Sequence, residues 1–281
     1  TPRVNAATQE GFEYRLMPRM SADWRFPFTR KTTNSIQLIE PIAGIIATRN
    51  GGNSLDIPDE DSRVFEEDDT NLFNIDRLPG LDRIEGGQRG IYGIKFGLFG
   101  QNFGHNTAFI GQTYRFNKDE ELLTNHNIDT GFSDIVGRVD IKPHNYIDLL
   151  YRFRLEHGTF SPRRNEFTFV VGPKAFKVSG DYIFVENGTG SGSSSRREEI
   201  KASISSQISR FWSLQGSTHR DLNADGGSLR HSVSLQYEDE CFTFDITGTR
   251  SFIRDADIRP SDSLLFKFIL KHLGQVSSNA G

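Results

Sequence analysis

The stretch Ile147-Asp148-Leu149-Leu150-Tyr151-Arg152-Phe153-Arg154-Leu155 decides the fold class. Its odd positions, Ile147, Leu149, Tyr151, Phe153 and Leu155, are all apolar, and Asp148, Arg152 and Arg154 stand between them. A period of two places these sets on opposite faces of a strand, whereas helical spacing would mix them. The same split recurs upstream, where Ile135, Gly137, Val139 and Ile141 alternate with Asp134, Arg138, Asp140 and Lys142. Downstream, Phe176, Val178, Gly180, Tyr182 and Phe184 face away from Lys177, Ser179 and Asp181. The longest run has Phe12, Tyr14, Leu16, Pro18, Met20, Ala22, Trp24, Phe26 and Phe28 on one side and Glu13, Arg15, Arg19, Asp23 and Arg25 on the other. Alternation returns over 200–208, 229–237, 242–248 and 264–270.

The connections alternate as well. Tight turns such as Lys142-Pro143-His144-Asn145, Gly172-Pro173, Ile208-Ser209-Arg210 and Glu238-Asp239-Glu240 take turns with polar segments over 116–130, 157–165, 186–199, 220–228 and 251–262. The longest connection, predicted to be a long extracellular loop, is 49–88, rich in Asp, Glu, Asn and Gly. Soluble sandwich strands average about 5–6 residues, shorter than these runs. Long strands, apolar on one face and ionic on the other, with short turns at one end and long loops at the other, predict an all-β fold: an antiparallel transmembrane β-barrel of outer-membrane type. Lipid offers no water to open backbone groups, so only a closed sheet is tolerated there. Tyr14, Trp24, Tyr146, Tyr182 and Trp212 fall near run ends, where an interfacial aromatic girdle or ordinary cross-strand packing would place them.

About thirteen runs are predicted: 11–28, 34–48, 88–100, 105–116, 130–142, 145–157, 165–172, 174–186, 198–209, 211–220, 228–238, 241–251 and 262–273. Single-chain bacterial barrels have even strand numbers. An odd tally, with no secretory leader after Thr1-Pro2-Arg3, predicts that 1–281 is the C-terminal part of a larger barrel.

Composition narrows the function. Against 33 Lys+Arg stand 37 Asp+Glu, a formal charge of −4 that excludes a broadly basic nucleic-acid binder. No apolar run reaches the roughly 20 residues of a spanning helix. Cys241 is the single cysteine and makes no disulfide within the chain. Gly93 to Gly104 lacks a phosphate-loop lysine, and the seven histidines lack metal-ligand spacing, so no cofactor and no metal centre is predicted. The carboxylates between Asp56 and Asp69 are a solvated acidic loop or a weak divalent-cation site; their spacing does not match a calcium-binding hand. No nucleophile and base converge, so the chain reads as a non-enzyme.

The long connection carries a sharper signal. Glu60-Asp61-Ser62-Arg63-Val64-Phe65-Glu66-Glu67-Asp68-Asp69-Thr70-Asn71-Leu72-Phe73 is followed by Arg77-Leu78-Pro79-Gly80-Leu81-Asp82-Arg83-Ile84-Glu85-Gly86-Gly87-Gln88-Arg89. These stretches, with Glu40-Pro41 and the ending from Arg254 to Gly274, resemble the C-terminal barrel of the LptD (organic solvent tolerance protein) family, which assembles lipopolysaccharide. The residues that carry the resemblance are Asp61, Ser62, Phe65, Asp69, Thr70, Asn71, Leu72, Phe73, Gly80, Asp82, Arg83, Glu85, Gly86, Gly87 and Arg89. Glu66-Glu67 departs from the family's order at that place.

The resemblance implies a 26-stranded barrel in the cell outer membrane, of which about thirteen strands are here. It implies a lumen plugged by the lipoprotein LptE. Lipopolysaccharide would arrive from a periplasmic bridge through an N-terminal domain outside this chain. It would leave between the first and last strands into the outer-membrane lipids. The last strand, 262–273, with Leu264, Phe266, Phe268 and Leu270, would form one side of that lateral gate. Cys241 resembles a position that some members join by a disulfide to their N-terminal domain, although Phe242 stands where many carry a second cysteine. Arg138, Lys142, Arg152 and Arg154 would line a wet lumen and meet carboxylates or anionic sugars. A passive porin-like channel uses the same alternation and is the competing class.

Overall fold

The computed structural model describes residues 15–50, 53, 66–117, 131–186, 196–224, 226–254 and 259–271, and the backbone of 274–280. Strands come in the order β1 (Arg19–Arg25), β2 (Phe28–Lys31), β3 (Ile36–Thr48), β4 (Gly87–Gly100), β5 (Gly104–Arg115), β6 (Gly131–Phe132), β7 (Ile135–His144) and β8 (Ile147–Leu155). They continue as β9 (Pro162–Val171), β10 (Phe176–Val185), β11 (Arg197–Gln207), β12 (Trp212–Asp221), β13 (Ser228–Glu238), β14 (Phe242–Ser251), β15 (Ser261–Leu270) and β16 (Gly274–Ala280). All belong to one antiparallel sheet in which chain neighbours pair, and no helix occurs among the described residues.

β1 and β2 both lie along β3, and β6 and β7 both lie along β5, so sixteen segments make fourteen strands. The first interruption falls at Phe26 and Pro27, and proline has no amide hydrogen to continue a ladder. Each predicted run overlaps a strand, with 11–14, 130 and 272–273 of those runs outside the described residues. The difference lies at the end: 262–273 is not the last strand, because Gly274–Ala280 pairs along β15 from Leu270↔Gly274 to Leu264↔Ala280. Its sequence, Gly274-Gln275-Val276-Ser277-Ser278-Asn279-Ala280, is too polar to show the apolar alternation used to find the others.

Register carries the two-faced pattern across the sheet. On one face Tyr151 stands opposite Val139 and Phe167, and Ile246 opposite Leu235 and Phe266. This face stays open: Tyr92, Phe96, Ile110, Tyr151, Phe167, Leu214 and Val233 are all exposed, as lipid-facing side chains are. The opposite face is polar, with Ser179, Ser203, Ser217, Ser232 and Thr249 in one cross-strand row. Within that row Ser179 bonds Ser203 and Ser217 bonds Ser232, each at 2.7 Å.

Aromatic rings gather at both ends of the apolar face. Trp212, Tyr237, Phe242 and Phe268 run across β12 to β15 beside the short turns, with centroids 5.1–5.3 Å apart. Tyr114, Phe132 and His157 do the same beside the long loops, at 4.8 and 4.6 Å. Amphipathic rings favour a membrane–water interface. Of the five girdle expectations, Tyr146 and Trp212 lie at the short-turn end, Trp24 lies within β1, Tyr182 lies toward the long-loop end, and Tyr14 falls outside the described residues.

Candidate functional site

The buried core is not between two sheets. It forms where 66–86, the described part of the β3–β4 connection, folds down onto the polar face. Leu72 is fully buried and packs with Ile46, Ile91 and Val136, flanked by Phe73 and Phe109. Ile46 of β3, Ile91 of β4 and Val136 of β7 occupy the polar register, where they make a dry seat for one leucine. Gly111 of β5 leaves room for it, since a Cβ there would come 2.7 Å from Leu72 Cδ2. Burying such a side chain contributes about 1.5–3 kcal/mol.

The turn that presents Leu72 is tied by its own side chains. Asp68 Oδ1 accepts from the Thr70 and Asn71 amides at 2.8 and 3.0 Å and from the Thr70 hydroxyl at 2.7 Å. Asn71 Oδ1 accepts from the Asp68 amide at 3.0 Å, and its Nδ2 donates to the Glu66 carbonyl at 2.7 Å. Asp-Asp-Thr-Asn thus closes on itself as a side-chain-mimicked turn.

Below Leu72 sits an ionic anchor. Glu85 is fully buried and meets three guanidinium groups. Arg77 donates to it through Nε at 2.9 Å and Nη2 at 2.5 Å, Arg89 reaches it at 2.5 Å, and Arg115 donates to it as well. Arg115 also donates to the Gly86 carbonyl at 2.7 Å. Arg77 continues to Glu67 at 2.6 Å, and Glu67 accepts from the Thr113 hydroxyl at 2.6 Å. Burial opposes the charge on Glu85, but Arg77, then Arg89 and Arg115, outweigh it and hold its pKa down to about 2. Burial likewise opposes the charge on Arg77, and Glu85 with Glu67 overcomes it and raises its pKa. Gly87, at φ +92°, turns the chain into β4, and a Cβ there would come 2.9 Å from Arg115 Nη1.

A second set of ion pairs joins the loop to the neighbouring wall. Arg138 of β7 stands directly opposite Arg152 of β8, and Arg154 of β8 opposite Arg164 of β9. Like charges in that position repel. Asp69 lies 3.6 Å from Arg138 and 3.8 Å from Arg152. Glu66 lies 3.2 Å from Arg154 and accepts from Arg164. Burial pushes the Asp69 carboxyl above its ordinary pKa, which Arg152 and Arg138 only partly offset.

The structure brings most of the signature together. Asp69, Thr70, Asn71, Leu72, Phe73, Glu85, Gly86, Gly87 and Arg89 all belong to this plug of loop and wall. Gly80, at φ +76°, turns the loop; the Asp82 carbonyl accepts from Arg15 at 2.7 Å and from buried Arg83 at 3.2 Å. Asp61, Ser62 and Phe65, and the acidic run over 56–65, lie outside the described residues. Leu264, Phe266, Phe268 and Leu270 share the apolar face of β15, and each pairs with β14 on one side and β16 on the other. Cys241 is exposed on the β13–β14 turn, and its carbonyl accepts from the Lys271 amide at 3.0 Å. Lys142 pairs with Asp148 at 2.9 Å. Among the described residues no group of three or more His, Cys, Asp or Glu is placed to hold a metal ion.

Sequence reasoning took Glu66 and Glu67 only as part of the acidic run, a solvated loop or a weak cation site, and passed over Arg77, Thr113, Arg115 and Arg164 as site residues. The findable signal was register: Arg89 and Arg115 face each other across β4 and β5 on the polar face, and such a pair calls for a carboxylate between them.

With this geometry in hand, the comparison with known families is decisive: the LptD family, described as LPS transport system D, matches residues 2–212. The chain belongs to the LptD family. It is similar to the LPS-assembly protein LptD of Pseudoalteromonas translucida, at 25% identity over 292 aligned residues that include 95% of this chain. The chain spans 38% of the length of that relative. LptD membership agrees with the all-β antiparallel sheet and with an outer-membrane protein. Among the described residues the sheet is open, with β1–β2 at one edge and β16 at the other.

Proposed function

We propose that this chain is the C-terminal wall of an outer-membrane translocon that inserts lipopolysaccharide into the outer leaflet. The observation that carries this reading is the signature connection held as a plug on the polar face, in a chain of the LptD family. A wall of this kind performs no covalent chemistry. Its apolar face holds it in lipid, its polar face accommodates hydrated sugar, and a lateral opening lets the acyl chains remain in lipid throughout.

In this reading the opening lies at the C-terminal edge of the sheet, on β15 and β16, with Leu264, Phe266, Phe268 and Leu270 toward lipid. The parent protein continues N-terminally into further strands and a periplasmic domain that receives lipopolysaccharide from the periplasmic bridge. LptE fills the remaining lumen. Cys241, on a short turn at the end of the sheet that this reading makes periplasmic, pairs with a cysteine of that N-terminal part. An unchanged non-reducing gel mobility of the full-length Cys241→Ser protein would count against the pairing.

The experiment is depletion of the full-length parent in its own cells, with newly made lipopolysaccharide quantified at the surface. Loss of surface delivery with accumulation behind the outer membrane is expected. Normal delivery together with altered small-solute uptake would replace the reading with a porin-like channel.

A further inference from the structure

Two opposed arginine pairs on one wall are an unusual thing for a sheet to build. Arg138↔Arg152 and Arg154↔Arg164 are direct cross-strand partners on the luminal face, and the wall itself sets three carboxylates, Asp134, Asp140 and Glu166, against these four guanidinium groups. The neighbours on the strands supply part of the counter-charge: Asp140 to Arg138 at 2.6 Å, Glu166 to Arg164 and, at 3.8 Å, to Arg152, and Asp134 to Arg154 at 3.4 Å. The centre of each pair is filled from the loop, by Asp69 between Arg138 and Arg152 and by Glu66 between Arg154 and Arg164.

The fit of these loop carboxylates is incomplete. Among the described residues, the Nε atoms of Arg152 and Arg154 are shielded from solvent and make no hydrogen bond, although Asp69 lies 3.8 Å from the first and Asp134 3.4 Å from the second. A small cavity remains here, lined by Arg152, Arg154, Arg164 and Phe153 and by the carboxylate residues Glu67, Asp68, Asp69 and Glu166. Arg152 and Arg154 are two residues apart on one strand, which sets the two clamps about 7 Å apart. A guanidinium pair presents many donors in a planar fork, and a phosphate, with more charge and more acceptor oxygens than a carboxylate, satisfies such a pair better.

We propose that the Arg138/Arg152 and Arg154/Arg164 pairs are a luminal binding site for a phosphate-bearing saccharide, and that Glu66 and Asp69 occupy it as tethered competitors in the unloaded protein. The anionic headgroup displaces segment 66–69 from the wall. The Glu85 anchor, with its three arginines, keeps the remainder of the loop in place. The site thus couples arrival of substrate to local opening of the plug. This rests on the lipopolysaccharide reading for the identity of its ligand, but the anion site itself is testable without transport.

The test uses the purified full-length protein with its partners and three probes: phosphorylated core oligosaccharide, the same oligosaccharide after phosphatase treatment, and inorganic pyrophosphate. Binding is measured by calorimetry, and release of the loop by hydrogen exchange at the amides of 66–71. Phosphorylated saccharide is expected to bind and deprotect 66–71. The dephosphorylated form is expected to bind at least about tenfold more weakly, and pyrophosphate to compete. The double variant Glu66→Gln/Asp69→Asn, which removes the competitors, is expected to tighten binding about tenfold. Arg154→Gln/Arg164→Gln is expected to abolish it while the protein remains heat-modifiable on gels.

Equal binding of the two saccharides, or unchanged affinity in Glu66→Gln/Asp69→Asn, overturns the proposal while leaving the translocon reading intact. Binding of pyrophosphate with none of the saccharide overturns the assignment to a sugar ligand. Anion binding as described, in a protein whose depletion leaves lipopolysaccharide delivery normal, would instead remove the translocon reading.

Discussion

Arg77 grips Glu85 with two parallel hydrogen bonds, Nε to Oε2 at 2.9 Å and Nη2 to Oε1 at 2.5 Å, in a site that water does not reach. Both residues come from the same loop, yet the carboxylate is shared with Arg89 of β4 and Arg115 of β5. One negative charge thus holds the loop to two strands. Removing a partner from a buried ion network leaves uncompensated charge and costs about 3–5 kcal/mol. Glu85→Gln keeps the shape and one acceptor but loses the charge, and is expected to free 66–86 from the wall. A nitroxide at Ile75, which is exposed on the loop, reads this directly. A label as immobile in Glu85→Gln as in the parent would show that Leu72 packing alone holds the loop.

Acid acts on the two loop carboxylates in opposite senses. The pKa of Glu85 is lowered from its ordinary 4.5 to about 2, so its contribution is present above about pH 4.5 and disappears as pH falls through 2. The size of that contribution is on the order of 3 kcal/mol. Asp69 is raised, so the docked state holds its proton more tightly than the free loop does. Protonating Asp69 therefore favours docking, and this gain is lost as pH rises through its raised value. Mild acid, between about pH 5 and 4.5, should leave the Ile75 label immobile, and release should begin only as pH approaches 2. Release of the loop already at pH 5 would contradict the assignment of Glu85 as the anchor.

The strands were legible because their signal is local. Ile147 to Leu155 announces two faces from nine residues, and register merely repeats that choice across the sheet. Gly274–Ala280 was missed because it carries no such contrast and is held by backbone pairing to β15. The plug was half legible. The family resemblance marked Leu72 and Glu85 but gave no reason for them. Their partners Ile46, Val136 and Arg115 sit on distant strands, and only pairing brings them under the loop. Apolar residues at positions where the alternation calls for polar ones, such as Ile46 and Val136, were the available clue that something dry covers that face.

The two faces make a paired prediction at adjacent residues. Ile246 of β14 faces Leu235 and Phe266 on the apolar side, while Thr247 bonds Ser234 at 3.0 Å and Asp245 at 2.7 Å on the polar side. Ile246→Arg places a charge toward the bilayer interior and should cost about 2–4 kcal/mol of folding stability in lipid. Thr247→Arg, one residue away, meets a hydrated lumen beside Asp245 and should cost well under half of that. Urea unfolding of the full-length protein in liposomes measures both. Equal losses would mean that the polar face is not a lumen.

Gly87 and Gly131 separate backbone strain from contact. Both have positive φ, +92° and +98°, so alanine at either strains the backbone by roughly 1–3 kcal/mol. At Gly131 an added Cβ meets nothing within 4 Å, whereas at Gly87 it comes 2.9 Å from Arg115 Nη1. Arg115 cannot move aside without leaving the Gly86 carbonyl and Glu85. Gly131→Ala is therefore expected to lower stability and leave the Ile75 label immobile. Gly87→Ala should lower it further and mobilise the label, as loss of Glu85 does. If the two variants give the same spectrum, Arg115 is not part of what pins the loop.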